Sequence, residues 1–182
     1  MGLRGRAIFG NSGQTFFVTT STVQHERVFG LGREYYNLLC TSLKFVLNEH
    51  RAKLIAYVFM PSHVHLIIAM PLGEDISDCM RDFKKFTSTK VRQQLEKEGR
   101  YSVLQRLRTN AQGKKNQVFK LWRDRFDDLV IDNDGTLTVK IEYIHNNPVK
   151  AGLVEDAKEW EFSSARNYTL NDHSLIQVTT DW

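Results

Sequence analysis

The chain lacks most of the features that would take it out of the class of ordinary single domains. Its longest unbroken apolar run, residues 54–60, is far too short to span a bilayer, so no membrane partner is expected. No apolar segment follows the basic start Met1-Gly2-Leu3-Arg4-Gly5-Arg6, which argues against a signal peptide. Cys40 and Cys79 stand alone, without a C-x-x-C partner, so reduced thiols and a cytoplasmic location are expected. No internal repeat of about 20 to 50 residues is present, which excludes a solenoid. No G-x-x-x-x-G-K-[ST] loop is present either, so a nucleotide-phosphate cradle of that kind is absent.

The chain is long enough, at 182 residues, to bury one core and fold as one domain. Its net charge of +4 hides a strong asymmetry. Residues 81–125 carry 14 Lys/Arg against 4 Asp/Glu, whereas residues 126–182 carry 4 against 11. A basic block of that size attracts phosphate backbones. The plainer alternative is a solvated helix face followed by a basic loop.

Periodicity gives the element order. Residues 15–23 are β-branched and aromatic and read as a strand. Tyr36, Leu39, Leu43, Val46 and Leu47 recur at helical spacing, predicting a helix over 33–50. Two apolar strands, about 53–60 and 63–70, meet at the Pro61-Ser62 corner. Ile76, Met80, Phe83, Val91 and Leu95 predict a helix over 75–98. Residues 99–117 read as a loop, with one amphipathic patch at Val103, Leu104 and Leu107. Residues 118–122 and 128–131 read as an interrupted strand or two short ones. A helix over 136–147 follows, which Pro148 is expected to interrupt. Trp160, Phe162 and Tyr168 predict that residues 155–170 dock onto the body. The pattern β-α-β-β-α-β implies an α+β, ferredoxin-like antiparallel sheet with helices packed on one face. Residues 1–14 are expected as a flexible N-terminal segment, 15–170 as the single domain, and 171–182 as a C-terminal tail.

The most informative residues are His63 and His65. Residues two apart on a strand project from the same face, so two imidazoles stand side by side at the start of an apolar strand. A metal ion is one reason to place them there; burial with hydrogen bonding inside the strand is the other. Two ligands do not complete a site, and no carboxylate lies at convincing ligand spacing. Tyr143 and Asn147 lie four apart and share a helix face. Tyr143 is a candidate nucleophile or a packing tyrosine. Asn147 is a candidate oxygen ligand or, directly before Pro148, an N-cap.

Met60-Pro61-Ser62-His63-Val64-His65-Leu66 resembles the M-P-N-H-V-H-L segment of the REP-associated tyrosine transposases, single-tyrosine members of the HUH endonuclease superfamily. Tyr143-Ile144-His145-Asn146-Asn147-Pro148-Val149-Lys150-Ala151-Gly152-Leu153-Val154 is similar to their Y-I-H-x-N-P-V-[RK]-A-G-L-V segment. Between these, residues 121–128 resemble W-x-x-x-[FY]-[DY]-[DH], and Trp160-Glu161-Phe162-Ser163-Ser164 resembles W-x-[YFW]-S-S. The segments come in family order. Ser62 stands where Asn is frequent, which touches only the hydrogen bonding of the corner.

The resemblance implies a catalytic, DNA-binding domain that cleaves single-stranded DNA. It implies Tyr143 as the nucleophile forming a 5′-phosphotyrosine, and His63, His65 and Asn147 as ligands of a divalent metal, Mg2+ or Mn2+. It also implies a hairpin DNA partner, and relatives act as monomers or as homodimers. Lys84, Lys85, Lys90, Arg92, Lys114, Lys115, Arg123 and Arg125 are the candidate DNA-binding cations from the basic block, with surface solubility as each one's alternative role. A non-cleaving DNA-binding protein of the same fold is the competing expectation.

Overall fold

The structure is a computed structural model and describes residues 13–111 and 118–180. Strand β1 (Gln14–Ser21) leads into helix α1 (Arg33–Glu49), strands β2 (Lys53–Phe59) and β3 (His63–Met70), and helix α2 (Ile76–Lys97). Helix α3 (Tyr101–Thr109), strand β4 (Asp127–Ile131), helix α4 (Asp134–Lys150) and helix α5 (Ala165–Leu170) follow. The strands pair antiparallel throughout, in the order β2-β3-β1-β4. This is the ferredoxin-like sandwich expected from the sequence. No helix among the described residues is long and apolar enough to cross a membrane.

Side-chain alternation lets one sheet serve two cores. Phe16 and Val18 on β1, with Val64, Leu66 and Ile68 on β3, join α1 and α2 in the larger core. Ile67, packed with Ile55, Ala56 and Val58, faces Leu137, Ile141 and Ile144 of α4 in a smaller one. A register shift in β2 between Leu54 and Ala56 turns both Ile55 and Ala56 toward α4. Helices on one face therefore describes α1 and α2; α4 covers the other face.

Three local expectations are corrected. The segment expected as a loop over 99–117 contains α3, whose Val103, Leu104 and Leu107 are buried; the short amphipathic patch was itself the helix. Residues 118–122 form no strand. Trp122 makes one isolated bridge to Thr22, while Phe119, Leu121 and Trp122 are anchored by burial. Pro148 does not interrupt α4, which runs to Lys150. In the last turn a proline removes only one internal hydrogen bond, and its ring continues the buried stripe Leu137, Ile141, Ile144, Pro148. The end is then closed by Leu153 N–H to Pro148 O (3.0 Å) and Gly152 N–H to Val149 O (2.9 Å). Gly152 has φ +66°, which glycine adopts without penalty. Asn147 is thus inside a helix, not capping one; the N-cap of α4 is Asn133, whose Oδ1 accepts from Thr136 N–H (2.8 Å).

The segment after α4 docks as its aromatics suggested. Trp160 Nε1 donates to Phe59 O (3.0 Å), Tyr168 Oη donates to Ile55 O (2.9 Å), and Ser163 bridges Val58. Residues beyond α5 also pack: Ile176 and Val178 are buried, and Thr179 N–H donates to Leu54 O (2.8 Å). Of the expected flexible segment 1–14, residues 1–12 lie outside the described residues.

Candidate active site

The Pro61-Ser62 corner presents the histidines, and several bonds fix it. Thr22 N–H donates to Ser62 O (2.8 Å), Phe29 N–H to Pro61 O (3.0 Å), and Met60 N–H to His63 O (2.8 Å). β3 begins at His63, so His63 and His65 share the α4 side of the sheet, ring centroids 5.0 Å apart. Thr19, paired with His65 across β1, shares a hydrogen bond between its Oγ1 and His65 Nδ1 (2.7 Å). Phe17 stacks on the same imidazole at 5.7 Å and 12°. His65 is therefore held in one orientation, with Nε2 not engaged by that bond.

α4 delivers the remaining groups. Tyr143 meets His65 edge-to-face at 5.2 Å, and Phe17 at 5.9 Å. Tyr143 is 39% exposed, open enough for a substrate to reach it. The Asn147 side chain comes close enough to His63 to favour its protonated form. His63, His65, Tyr143 and Asn147, four residues named from sequence, come together within a single chain.

The site also contains residues that sequence reasoning missed. Lys140 Nζ lies 4.7 Å from the Phe17 ring centroid and 5.9 Å from that of Tyr143. Lys150 Nζ lies 5.7 Å from the Tyr143 ring. Lys140, Tyr143, Asn147 and Lys150 form one stripe at spacings of three, four and three, alongside the buried stripe. The same spacing that linked Tyr143 to Asn147 could have found both lysines. Thr19 and Phe17 carried no local signal, because strand pairing alone sets them beside His65.

Burial dominates the electrostatics. It pushes the His65 pKa down to about 3, with His63 and Lys140 adding to the effect. Burial also lowers His63, opposed by the neighbouring Asn147 side chain. Both rings are neutral at neutral pH, so each keeps a lone pair for coordination. Burial likewise holds His145 down to about 4; its Nε2 meets Ser164 Oγ (2.9 Å) and ties α4 to the docked segment.

Among the described residues no cluster of three or more His, Cys, Asp and Glu could hold a metal. The set that fits is mixed: two neutral imidazoles and the amide oxygen of Asn147. Nitrogen and amide-oxygen donors of this kind suit a divalent ion.

The basic block divides. Arg123 and Arg125 are exposed, and Arg123 N–H donates to Ser21 O (3.0 Å), the residue paired with His63. They lie at the histidine end of the sheet. Lys84 is differently engaged: its Nζ donates to the carbonyls of Arg123 (2.6 Å) and Asp124 (3.1 Å), and burial lowers its pKa to about 8. It holds that segment in place. Lys85, Lys90 and Arg92 sit on α2, across the sheet from the histidines. Lys114 and Lys115 lie outside the described residues.

The sequence profile of the family described as Transposase IS200 like matches residues 22–147, a span that runs from Thr22 beside the corner to Asn147 on α4. The chain belongs to this family. Two relatives of this IS200-like transposase carry a more specific name. A Haemophilus influenzae protein assigned to the REP-associated tyrosine transposases is 28% identical over 159 residues, covering 87% of this chain and 83% of that protein. An Escherichia coli REP-associated tyrosine transposase is 28% identical over 152 residues, covering 84% of this chain and 76% of that protein. The fold is also that of a solved REP-associated tyrosine transposase bound to a REP hairpin, at a TM-score of 0.64 and 24% identity. That match covers 99% of this chain and 91% of the other.

Proposed function

We propose that this transposase is a divalent-metal-dependent strand transferase for single-stranded DNA, with Tyr143 as its nucleophile and hairpin DNA as its target. The observation that carries the reading is the edge-to-face meeting of Tyr143 with His65, beside His63 and Asn147, in one chain. Packing alone asks for none of these polar groups together, and pure DNA binding asks for neither the phenol nor the paired imidazoles.

The chain's own groups divide the work. Tyr143 Oη attacks the phosphorus of a backbone linkage; the P–O3′ bond breaks, leaving a 5′-phosphotyrosine and a free 3′-hydroxyl. The exposed phenol gives up its proton toward solvent, and the departing 3′-oxygen takes one up. Attack by a 3′-hydroxyl on the phosphotyrosine rejoins strands with no ATP, in keeping with the absent nucleotide loop. His63, His65 and the Asn147 oxygen would hold Mg2+ or Mn2+. When bound, the ion supplies Lewis-acid polarisation of the phosphoryl oxygens. Lys140 and Lys150 flank the ring and offset charge gathering on the phosphate in the transition state. Thr19 engages His65 Nδ1 and so fixes the ring orientation in which the other nitrogen would meet the ion. Arg123 and Arg125 hold the backbone at the open end of the sheet.

The solved REP-associated tyrosine transposase bound to a REP hairpin supports a hairpin target, and the intrachain geometry supports a tyrosine acting beside its own histidines. The test is a covalent-adduct assay. Labelled hairpin DNA with a single-stranded extension, incubated with the protein and Mn2+, should give a band that survives SDS. Tyr143→Phe should remove the band and keep hairpin affinity within about twofold. A parent protein that binds the hairpin and never forms the adduct would instead be a non-cleaving DNA-binding protein.

A further inference from the structure

We infer that the cleft walled by Tyr36, Trp160 and Phe162, beside the Pro61-Ser62 corner, is a nucleobase pocket that takes one unpaired base next to the linkage Tyr143 attacks. The inference rests on the strand-transfer reading above and adds a subsite to it.

The cleft has a volume of about 370 Å³ and is also lined by Arg27, Arg33 and Leu153. Sites for small flat ligands start at about 300 Å³. Its walls are rigid. Tyr36 and Phe162 stack on one another at 4.1 Å and 10°, and Trp160 meets both rings edge-on. The indole of Trp160 is fixed in plane by its bond to Phe59 O (3.0 Å), yet the ring is only partly buried, leaving surface for a base to lie on. Flat aromatic walls of this kind bind bases through their π-faces.

A base also presents a polar edge, and the cleft has a partner for it. Tyr36 is 6% exposed, yet its hydroxyl is not sealed off: among the described residues Thr20 Oγ1 is the one buried side-chain polar atom left without a partner. A hydroxyl that reaches the solvent of the cleft can exchange water for the polar edge of a ligand. Burial pushes the Tyr36 pKa up to about 12, so it stays a neutral donor and acceptor. Arg27 is exposed at the rim with no ion pair among the described residues, which suits a phosphate. Arg33 is engaged locally: it pairs with Glu161 and covers the Phe162 ring at 5.7 Å.

Position ties the cleft to the reacting centre. Pro61 lines it, and His63 follows two residues on, at most about 7 Å along an extended chain. Leu153 lines it as well, three residues past Lys150, whose ammonium flanks Tyr143. The cleft and the site thus draw on the same two segments, the corner before β3 and the end of α4 with the turn after it, and on that adjacency rests the placing of the neighbouring nucleotide here.

The test is an abasic scan. Hairpin DNA carries a single-stranded extension in which each nucleotide beside the cleavage point is replaced in turn by an abasic unit. Binding is read by fluorescence anisotropy. The parent should show one position where the replacement weakens binding roughly tenfold, the size of a single stacking contact. Trp160→Ala should erase that penalty and leave those at other positions in place. If Trp160→Ala does not fold, Tyr36→Phe, which removes only one oxygen, should flatten the preference among the four bases at the sensitive position. An undiminished penalty in Trp160→Ala, or an unchanged base preference in Tyr36→Phe, overturns the pocket. A parent that forms the covalent adduct but has no abasic-sensitive position overturns the pocket alone. A parent that neither binds nor forms an adduct overturns the strand-transfer reading with it.

Discussion

The two faces of the sheet are made from the same strands and differ in what they can do. On the α1–α2 face, Val64, Leu66 and Ile68 disappear into a large apolar core. On the α4 face, the residues between them are His63, His65 and Ile67, and only Ile67 continues a core. The smaller core stops where the histidines begin. Helix α4 repeats the division: one stripe, Leu137 to Pro148, is buried, and the adjoining stripe carries Lys140, Tyr143, Asn147 and Lys150. Stability resides mainly on one face, and the chemistry proposed above sits at the histidine end of the other, on strands that the first face holds in place.

Neighbouring residues on β3 give the largest contrast. His65→Ala should cut adduct formation roughly a thousandfold, the several kcal/mol that a Lewis acid supplies to a phosphoryl transition state. It should also abolish the rise in melting temperature on adding Mn2+, which at about a hundred times Kd corresponds to roughly 2.7 kcal/mol in the parent. Leu66→Ala, one residue on and pointing the other way, should cost about 2–5 kcal/mol of stability in denaturant melts. Its folded fraction should cleave at the parental rate. If Leu66→Ala lost cleavage per folded molecule, or His65→Ala kept it, the division of labour between the faces would not hold.

Much of this division was legible in the sequence because it is periodic. Alternation placed His63 and His65 on one face, and a spacing of four placed Tyr143 with Asn147. What the sequence obscured was non-local. Thr19 and Phe17 reach His65 only through the β1–β3 register, which no local pattern encodes. Lys84 read as a DNA contact because it is a lysine in a basic helix; the structure engages it with two backbone carbonyls. Pro148 read as a helix stop because propensity favours one, but burial of its ring and closure through Gly152 outweigh one missing bond. The α3 patch was short enough to pass for a loop, and burial against the larger core makes it a helix.

Within the α4 face, the flanking groups rank below the histidines. Lys140→Ala should slow adduct formation roughly a hundredfold, as loss of one preorganised charge donor does. Hairpin affinity should fall by no more than several-fold, since one phosphate contact among many is lost. Equal losses in affinity and rate would make Lys140 a general backbone contact. Thr19→Val keeps shape and removes the hydroxyl that meets His65 Nδ1. It should weaken Mn2+ binding about tenfold, the lower end for a partner that orients a ligand histidine. The loss should be recovered at high Mn2+, with the melting temperature in metal-free buffer changed by no more than a few degrees. A defect that Mn2+ does not rescue would mean that Thr19 acts on packing.

The smallest effect belongs to the opposite face and shows its indifference to the reaction. Glu98 ends α2 and accepts from Arg100, Gln94 and the Tyr35 hydroxyl (2.8 Å) of α1. These bonds, the Arg100 one foremost, hold its pKa down to about 2. A carboxylate depressed in the folded state adds stability that is fully present above its unfolded pKa of about 4.3, and that stability is lost as pH falls toward the folded value. The parent's melting temperature should therefore be insensitive to this group between pH 7 and about 5. Part of its decline below pH 4 should be missing in Glu98→Gln, which sits lower at neutral pH and approaches the parent in acid. Metal-dependent adduct formation at pH 7 should be the same in both proteins, because nothing Glu98 touches reaches the α4 side of the sheet.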